Sequence, residues 1–239
     1  MQKKFLFKKI IAAAVIILAV PCVIGGYFLF GSEKYYITCA ILIFLAIAPF
    51  FVSFEKKETL PREIGAIAAL TAIAVISRGA FYAFPQIKPI AAIVIIGAVS
   101  FGCEVGFLTG ALSMLLSDIF FGLGMWTPFQ MLGLGAVGFL CGLIFYSSKY
   151  KNNRFILGLV GGVLTFIVYG ITVDTNSVLM LADSKSLKAI AVVYLAGVPM
   201  NAVFAVTTAL VLMLFGKPFI VRLSRLRTKY GIFEKGDNL

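Results

Sequence analysis

The sequence predicts an all-α integral membrane protein of eight helical spans, and three observations predict it: overall apolarity, the length of the charge-poor runs, and the lopsided placement of basic residues. Hydrophobic residues make up 61% of the chain and charged residues 13%, with a mean hydropathy of +1.04. That leaves too little polar surface to cover a water-soluble globule. A hydrocarbon layer about 30 Å thick takes about 20 apolar helical residues to cross. The runs 10–30, 36–54, 62–83, 128–146, 155–173 and 189–215 read as such spans. The stretch 89–121 would be about 50 Å long as one helix, too long even for a tilted span. Gly97, Ser100 and Gly102 sit at its middle and Glu104 is costly in mid-bilayer, so it divides into a short span at 89–100 and a fuller one at 103–121.

Charge placement tests this count. With a cytoplasmic N-terminus, the inner segments carry Lys3, Lys4, Lys8, Lys9, Lys56, Lys57, Arg62, Lys149, Lys151, Arg154, Lys217, Arg222, Arg225, Arg227, Lys229 and Lys235. Only Lys34, Arg78, Lys88, Lys185 and Lys188 fall at outer ends. This bias follows the positive-inside rule, and removing one span would push later basic loops outside. Both termini are therefore expected in the cytoplasm. The net charge of +11 reflects orientation and inner-leaflet phospholipid, and does not call for a nucleic-acid partner.

Residues 1–30 have the basic start and apolar run of a secretory signal, but the run is long and lacks a clear small-residue cleavage pattern, so it reads as a retained first span. Three parts are expected: a transmembrane hairpin at 1–54 with kinks at Pro21 and Pro49, a six-helix core at 55–216 entered through the charged link 54–62, and a basic cytoplasmic tail at 217–239.

Enzyme chemistry finds little support. The chain has no His, which removes the usual general base and the commonest metal ligand. Cys22, Cys39, Cys103 and Cys141 are scattered through apolar runs without CxxC spacing and read as reduced packing residues, so no metal or cofactor is expected. Glu104 and Asp118 are read as the only acids within spans. Their separation corresponds to about 21 Å of helical rise, too far to act as a pair. A membrane-embedded lipid or isoprenoid enzyme would need a paired acidic motif or a His cluster. No Gly-x-x-x-x-Gly-Lys-Ser/Thr run is present to bind ATP.

Small residues recur at helical spacing in the core: Ala68 and Ala72, with Ala66 and Ala74 nearby; Gly102, Gly106 and Gly110; Gly138 and Gly142. Such faces let helix backbones approach where lipid supplies no hydrophobic drive, within the chain or against another subunit. The Ala68–Ala72 face is the better prospect for another subunit. Polar and aromatic residues gather at the outer ends of the same spans, in 77–89 and 122–130, and Asn201 lies two residues after Pro199. Each alone could belong to an interfacial belt or bond a neighbouring helix. Together they outline a site of Arg78, Phe81, Tyr82, Gln86, Lys88, Trp126, Thr127, Gln130 and Asn201. Rigid rings there would cover a flat ligand and amides would orient it. A structural scaffold would not need that convergence.

The run from Pro61-Arg62-Glu63-Ile64 through Arg78, the segments Pro85-Gln86-Ile87-Lys88-Pro89 and Gly106-Phe107-Leu108-Thr109-Gly110, and above all Phe121-Gly122-Leu123-Gly124-Met125-Trp126-Thr127-Pro128-Phe129-Gln130-Met131 resemble the substrate-binding (S) components of energy-coupling factor (ECF) transporters. The chain is similar in particular to the cobalamin-type branch, which places two extra helices before a six-helix core. The resemblance covers about residues 61–216. Met125 stands where the pattern has Pro and Phe129 where it has Trp, which bears on the ligand more than on the family. The resemblance implies capture of a vitamin or related micronutrient from outside, a corrinoid being the expected choice. Docking on a transmembrane scaffold (T) subunit with two ATPases, and toppling to release cargo inward, would follow. It also implies that Ala68 and Ala72 contact the scaffold.

Overall fold

The computed structural model describes residues 37, 41–45, 61–181 and 187–233. Of the predicted hairpin at 1–54, only residues 37 and 41–45 fall within that set; they are helical, and Leu42 is buried in the core. The kinks at Pro21 and Pro49, and Cys22 and Cys39, lie outside the described residues.

Six helices make up the rest. They are α1 (Pro61–Ala80), α2 (Ile90–Phe101), α3 (Cys103–Phe121) and α4 (Thr127–Phe145). The fifth, α5, runs through Arg154–Leu164, a π-helical turn at Thr165–Tyr169 and Gly170–Leu181. The last, α6, runs through Leu187–Val211, a second π-helical turn at Leu212–Gly216 and Lys217–Tyr230. Five are long and apolar enough to cross a bilayer, α2 being the shorter apolar helix, and no strand occurs among the described residues. The first four lie close to their predicted limits. The last two overrun theirs, at 173 and 215, because polar residues end a membrane span without ending a helix. In α5 the run Asp174-Thr175-Asn176 stays helical and buried. Beyond Gly216, α6 carries Lys217, Arg222, Arg225, Arg227 and Lys229 in a helical continuation of the last span.

The split of 89–121 occurs at Gly102, whose φ of 111° is open to glycine and strained for other residues. Its N–H donates to Ala98 O at 2.9 Å, closing α2, and its carbonyl accepts from Gly106 N at 3.1 Å, opening α3. Every residue of α2 except Ile93 is buried. A twelve-residue helix rises only about 18 Å, so its break from regular geometry is tolerated where protein, rather than lipid, surrounds it. Around α2 the core gathers Phe107 and Met114 of α3, Leu132, Leu134 and Phe139 of α4, Leu157 of α5, and Leu212 of α6.

The glycine ridges are internal. A Cβ on Gly106 would stand 2.6 Å from Gly138 O, one on Gly110 2.6 Å from Leu134 O, and one on Gly142 2.5 Å from Cys103 Cα. The α3 and α4 backbones therefore touch. The Ala-rich face of α1 is different. Ile67, Leu70, Thr71 and Ala74 turn inward, while Gly65, Ala68, Ala69, Ala72, Ile73 and Ile76 are exposed.

Successive helices run antiparallel, α2 and α3 reversing at the Gly102 bend. The links 81–89 and 122–126 therefore share one end, called outer below. The Gly102 bend, the Lys149–Asn152 turn and the end of α6 share the other. There Asn153 Oδ1 caps α5 by accepting from Phe155 N and Ile156 N, and Phe233 N donates to Glu63 Oε1 at 2.9 Å, joining the two ends of the core.

Candidate functional site

Arg78, in the last turn of α1, is largely buried and reaches across to α3 and α4. Its Nη1 donates to Asp118 Oδ1 at 2.7 Å, to Ser117 Oγ and to Met114 Sδ at 3.3 Å, and its Nη2 donates to Gln130 Oε1 at 3.4 Å. Met114, Ser117 and Asp118 share one face of α3 by their spacing of three and four residues. The pair is 12% and 1% exposed on its two side chains. An ion pair this deep depends on both partners being present, since either alone would be a buried uncompensated charge.

Lys88 completes this wall. The 81–89 link is folded by Tyr82 N donating to Gly79 O, Phe84 N to Phe81 O and Lys88 N to Gln86 O, with Gln86 at a φ of 58°. Lys88 lies within electrostatic reach of Arg78 and Asp118. Burial, and then Arg78, hold its ammonium pKa below the usual 10.5 against the opposing pull of Asp118.

The facing wall comes from α5 and α6. Asn201 Nδ2 donates to Asp174 Oδ2 at 2.7 Å, and the hydroxyls of Thr175 and Tyr194 are 2.8 Å apart. A Cβ on Gly170 would meet Asn201 Nδ2 at 2.9 Å, and one on Gly197 would stand 2.6 Å from Asp174 Cγ, so both glycines make room for this cluster. Between the walls lies Tyr169, in the π-helical turn of α5. Its ring packs on Phe204 of α6 at 4.9 Å between centroids, and a Cβ on Gly133 of α4 would touch it at 3.1 Å. It also feels the charges of Arg78, Asp118 and Asp174. Gln130 precedes Gly133 by one turn on α4, and Asn201 precedes Phe204 by one turn on α6. Both amides thus lie just outward of the helix positions that pack on Tyr169. A π-helical turn at this point is the kind of irregularity that accompanies sites.

The rim is aromatic. Tyr82 stacks on Phe121, centroids 4.8 Å apart and planes 18° apart, and Phe81 tilts toward Phe84 at 6.4 Å. Trp126 is 39% exposed, folded over Gly124. Thr127 is buried; its N–H donates to Gly124 O at 3.0 Å and its Oγ1 accepts from Gly124 N at 3.3 Å. Its hydroxyl holds the turn that presents Trp126.

Of the residues expected from sequence, Arg78 and Gln130 meet directly, Lys88 stands beside them, Phe81, Tyr82, Gln86 and Trp126 occupy the rim and its link, and Asn201 lies on the facing wall. Sequence reasoning missed three. Asp118 was weighed only against Glu104, although its partner Arg78 is forty residues away. Asp174 was placed just past a span ending at 173. Restricting the acids within spans to Glu104 and Asp118 is corrected by α5, which carries Asp174 as a buried helical residue, and by α1, whose first turn buries Glu63. Tyr169 carried no signal beyond its aromatic ring.

A bundle of apolar helices with two polar walls, an aromatic rim and a buried tyrosine between the walls defines a membrane-embedded binding protein. A family model described as ECF-type riboflavin transporter, S component, matches residues 60–219, and the chain belongs to that family. It is a multi-pass membrane protein and a substrate-binding vitamin-transport subunit rather than an enzyme, working with a T scaffold and an ATPase module. No curated protein and no solved structure matches the chain.

Proposed function

We propose that the chain captures a flat, ring-bearing vitamin between the Arg78–Gln130 wall and the Asp174–Asn201 wall, with a flavin as the cargo. The observation that carries this reading is the Tyr169 ring, set between Gly133 of α4 and Phe204 of α6 and within reach of the charges of Arg78, Asp118 and Asp174, with one amide, Gln130, held by Arg78 and another, Asn201, held by Asp174. The family model's riboflavin description favours a flavin over the corrinoid that the cobalamin-type resemblance implies. Eight spans with both termini cytoplasmic follow from the charge asymmetry and would place the site on the outer face. The exposed face of Ala68 and Ala72 supports docking on a scaffold subunit carrying two ATPases, because that face points away from the site's own packing.

Titrating the purified protein with riboflavin and with cobalamin, and following riboflavin fluorescence, tests the ligand. Saturable quenching by the protein with no competition from cobalamin supports the flavin. Binding of cobalamin alone restores the corrinoid. Ala68→Trp tests the docking face: vitamin uptake by cells should stop while binding by the isolated protein persists. Equal loss of both would make the face an internal packing surface.

A further inference from the structure

Each of the two amides has its orientation set by a charged neighbour. Arg78 Nη2 takes the oxygen of Gln130, so the Gln130 Nε2 hydrogens are left as donors. Asp174 Oδ2 takes the nitrogen of Asn201, so Asn201 Oδ1 and Asp174 Oδ1 are left as acceptors. None of these three groups has a protein partner among the described residues. Nor are they sealed off, since the buried polar atoms without partners are Thr71 Oγ1, Thr109 Oγ1, Ser113 Oγ and Asp118 Oδ2. One wall therefore donates and the other accepts. The ion pair on the donating wall also matters. Asp118 neutralises Arg78, so that guanidinium is not free to receive an anion, whereas among the described residues Asp174 has no cation on its carboxylate.

We propose that Asp174, held by Asn201 and seated on Gly197, is a ligand-binding residue that accepts hydrogen bonds from the hydroxyls of an uncharged polyol tail, while Gln130 donates to an acceptor on the ring. This rests on the flavin reading above and adds a direction and a selectivity to it. A hydroxylated tail meets acceptors it can satisfy, whereas a phosphate ester at the same place would face an uncompensated carboxylate at short range in a low-dielectric setting. The site would thus sort the free vitamin from its phosphorylated form by charge.

The test compares riboflavin, lumiflavin, which has the same ring and no polyol, and flavin mononucleotide, which carries a phosphate on the tail. Asp174→Asn keeps the shape and removes the charge. It should weaken riboflavin by at least about tenfold, the loss expected for a hydrogen bond to a charged acceptor, and leave lumiflavin within about twofold. Flavin mononucleotide should gain relative to riboflavin. Equal loss for riboflavin and lumiflavin, or no loss for either, overturns the assignment while leaving the flavin reading intact. Wild-type protein that binds none of the three overturns the flavin reading and this inference with it. If Asp174→Asn does not yield folded protein, Gly197→Ala repeats the test, because its Cβ would press on the same carboxyl and should produce the same selective loss.

Discussion

The helix α3 is packed by two different physical means along its length. Toward α4 it presents Cys103, Gly106 and Gly110, and the backbones touch. Toward the outer end of α1 it presents Ser117 and Asp118, which Arg78 engages. Thr109, Ser113 and Asp118 on α3 and Thr71 on α1 hold every buried side-chain polar atom without a partner among the described residues. Dense van der Waals contact fixes two helices in one register. Unsatisfied hydroxyls carry a desolvation cost that any rearrangement admitting water would relieve. The α3–α4 contact is thus the frame, and the polar cluster of Arg78, Ser117 and Asp118, with the orphaned hydroxyls of α3 below it, is the seam. The helix that supplies Arg78 to that seam also bears the exposed Ala68–Ala72 face.

The largest effect should come from attacking the frame. Gly138→Leu drives a side chain into the Gly106 carbonyl, where no rotamer can escape, and should abolish recovery of monodisperse protein in detergent by size-exclusion chromatography. Folded protein with an unchanged melting temperature would show that the two backbones are not in contact. Next, Asp118→Ala leaves Arg78 buried and unpaired and should cost about 3–5 kcal/mol in thermal or denaturant unfolding. The double variant Arg78→Met with Asp118→Leu should recover most of that loss. Trp126→Ala touches neither contact, and should weaken vitamin binding by about an order of magnitude while leaving the melting temperature in place.

Smaller effects sharpen the account of the seam. Thr109→Val removes one orphaned hydroxyl at nearly constant volume and should leave stability unchanged or raise it by up to about 1 kcal/mol. A loss would mean that the hydroxyl has a partner such as a bound water. Lys88 supplies the pH test. Its folded pKa is lowered from 10.5, so between the lowered value and 10.5 the unfolded chain holds a proton that the folded chain has released. Stability should rise with pH across that window and be lowest beneath it. Lys88→Met should flatten that rise.

The frame was legible in the sequence and the seam was not. A glycine at 102 inside a run too long for one span announces a break, and the 106–110 and 138–142 glycine pairs announce close contact, because both follow from spacing along a single helix. That α3 and α4 would use their ridges on each other, leaving the α1 face free, is a matter of which helices meet, and spacing is silent on it. Arg78 was legible as a polar residue near a site, but its engagement by Asp118 depends on two helices forty residues apart in sequence arriving side by side. Asp174 was missed for a related reason. Hydropathy marks where a helix leaves lipid, and a polar stretch that turns into a protein interior looks the same as one that turns into water.

The bond between Glu63 and Phe233 sets a clock on assembly. The two residues are separated by 170 positions, and chains are made at about 5–20 residues per second. The carboxylate at the start of α1 therefore waits roughly 10–30 seconds after its own synthesis before its backbone partner exists. During that interval α1 is held by its apolar contacts with α2 and α3 and by the Arg78–Asp118 pair, and its inner end lacks the bond to residue 233. A chain cut short before residue 233 would never acquire that bond, and would lose the tie between the start of α1 and the end of α6.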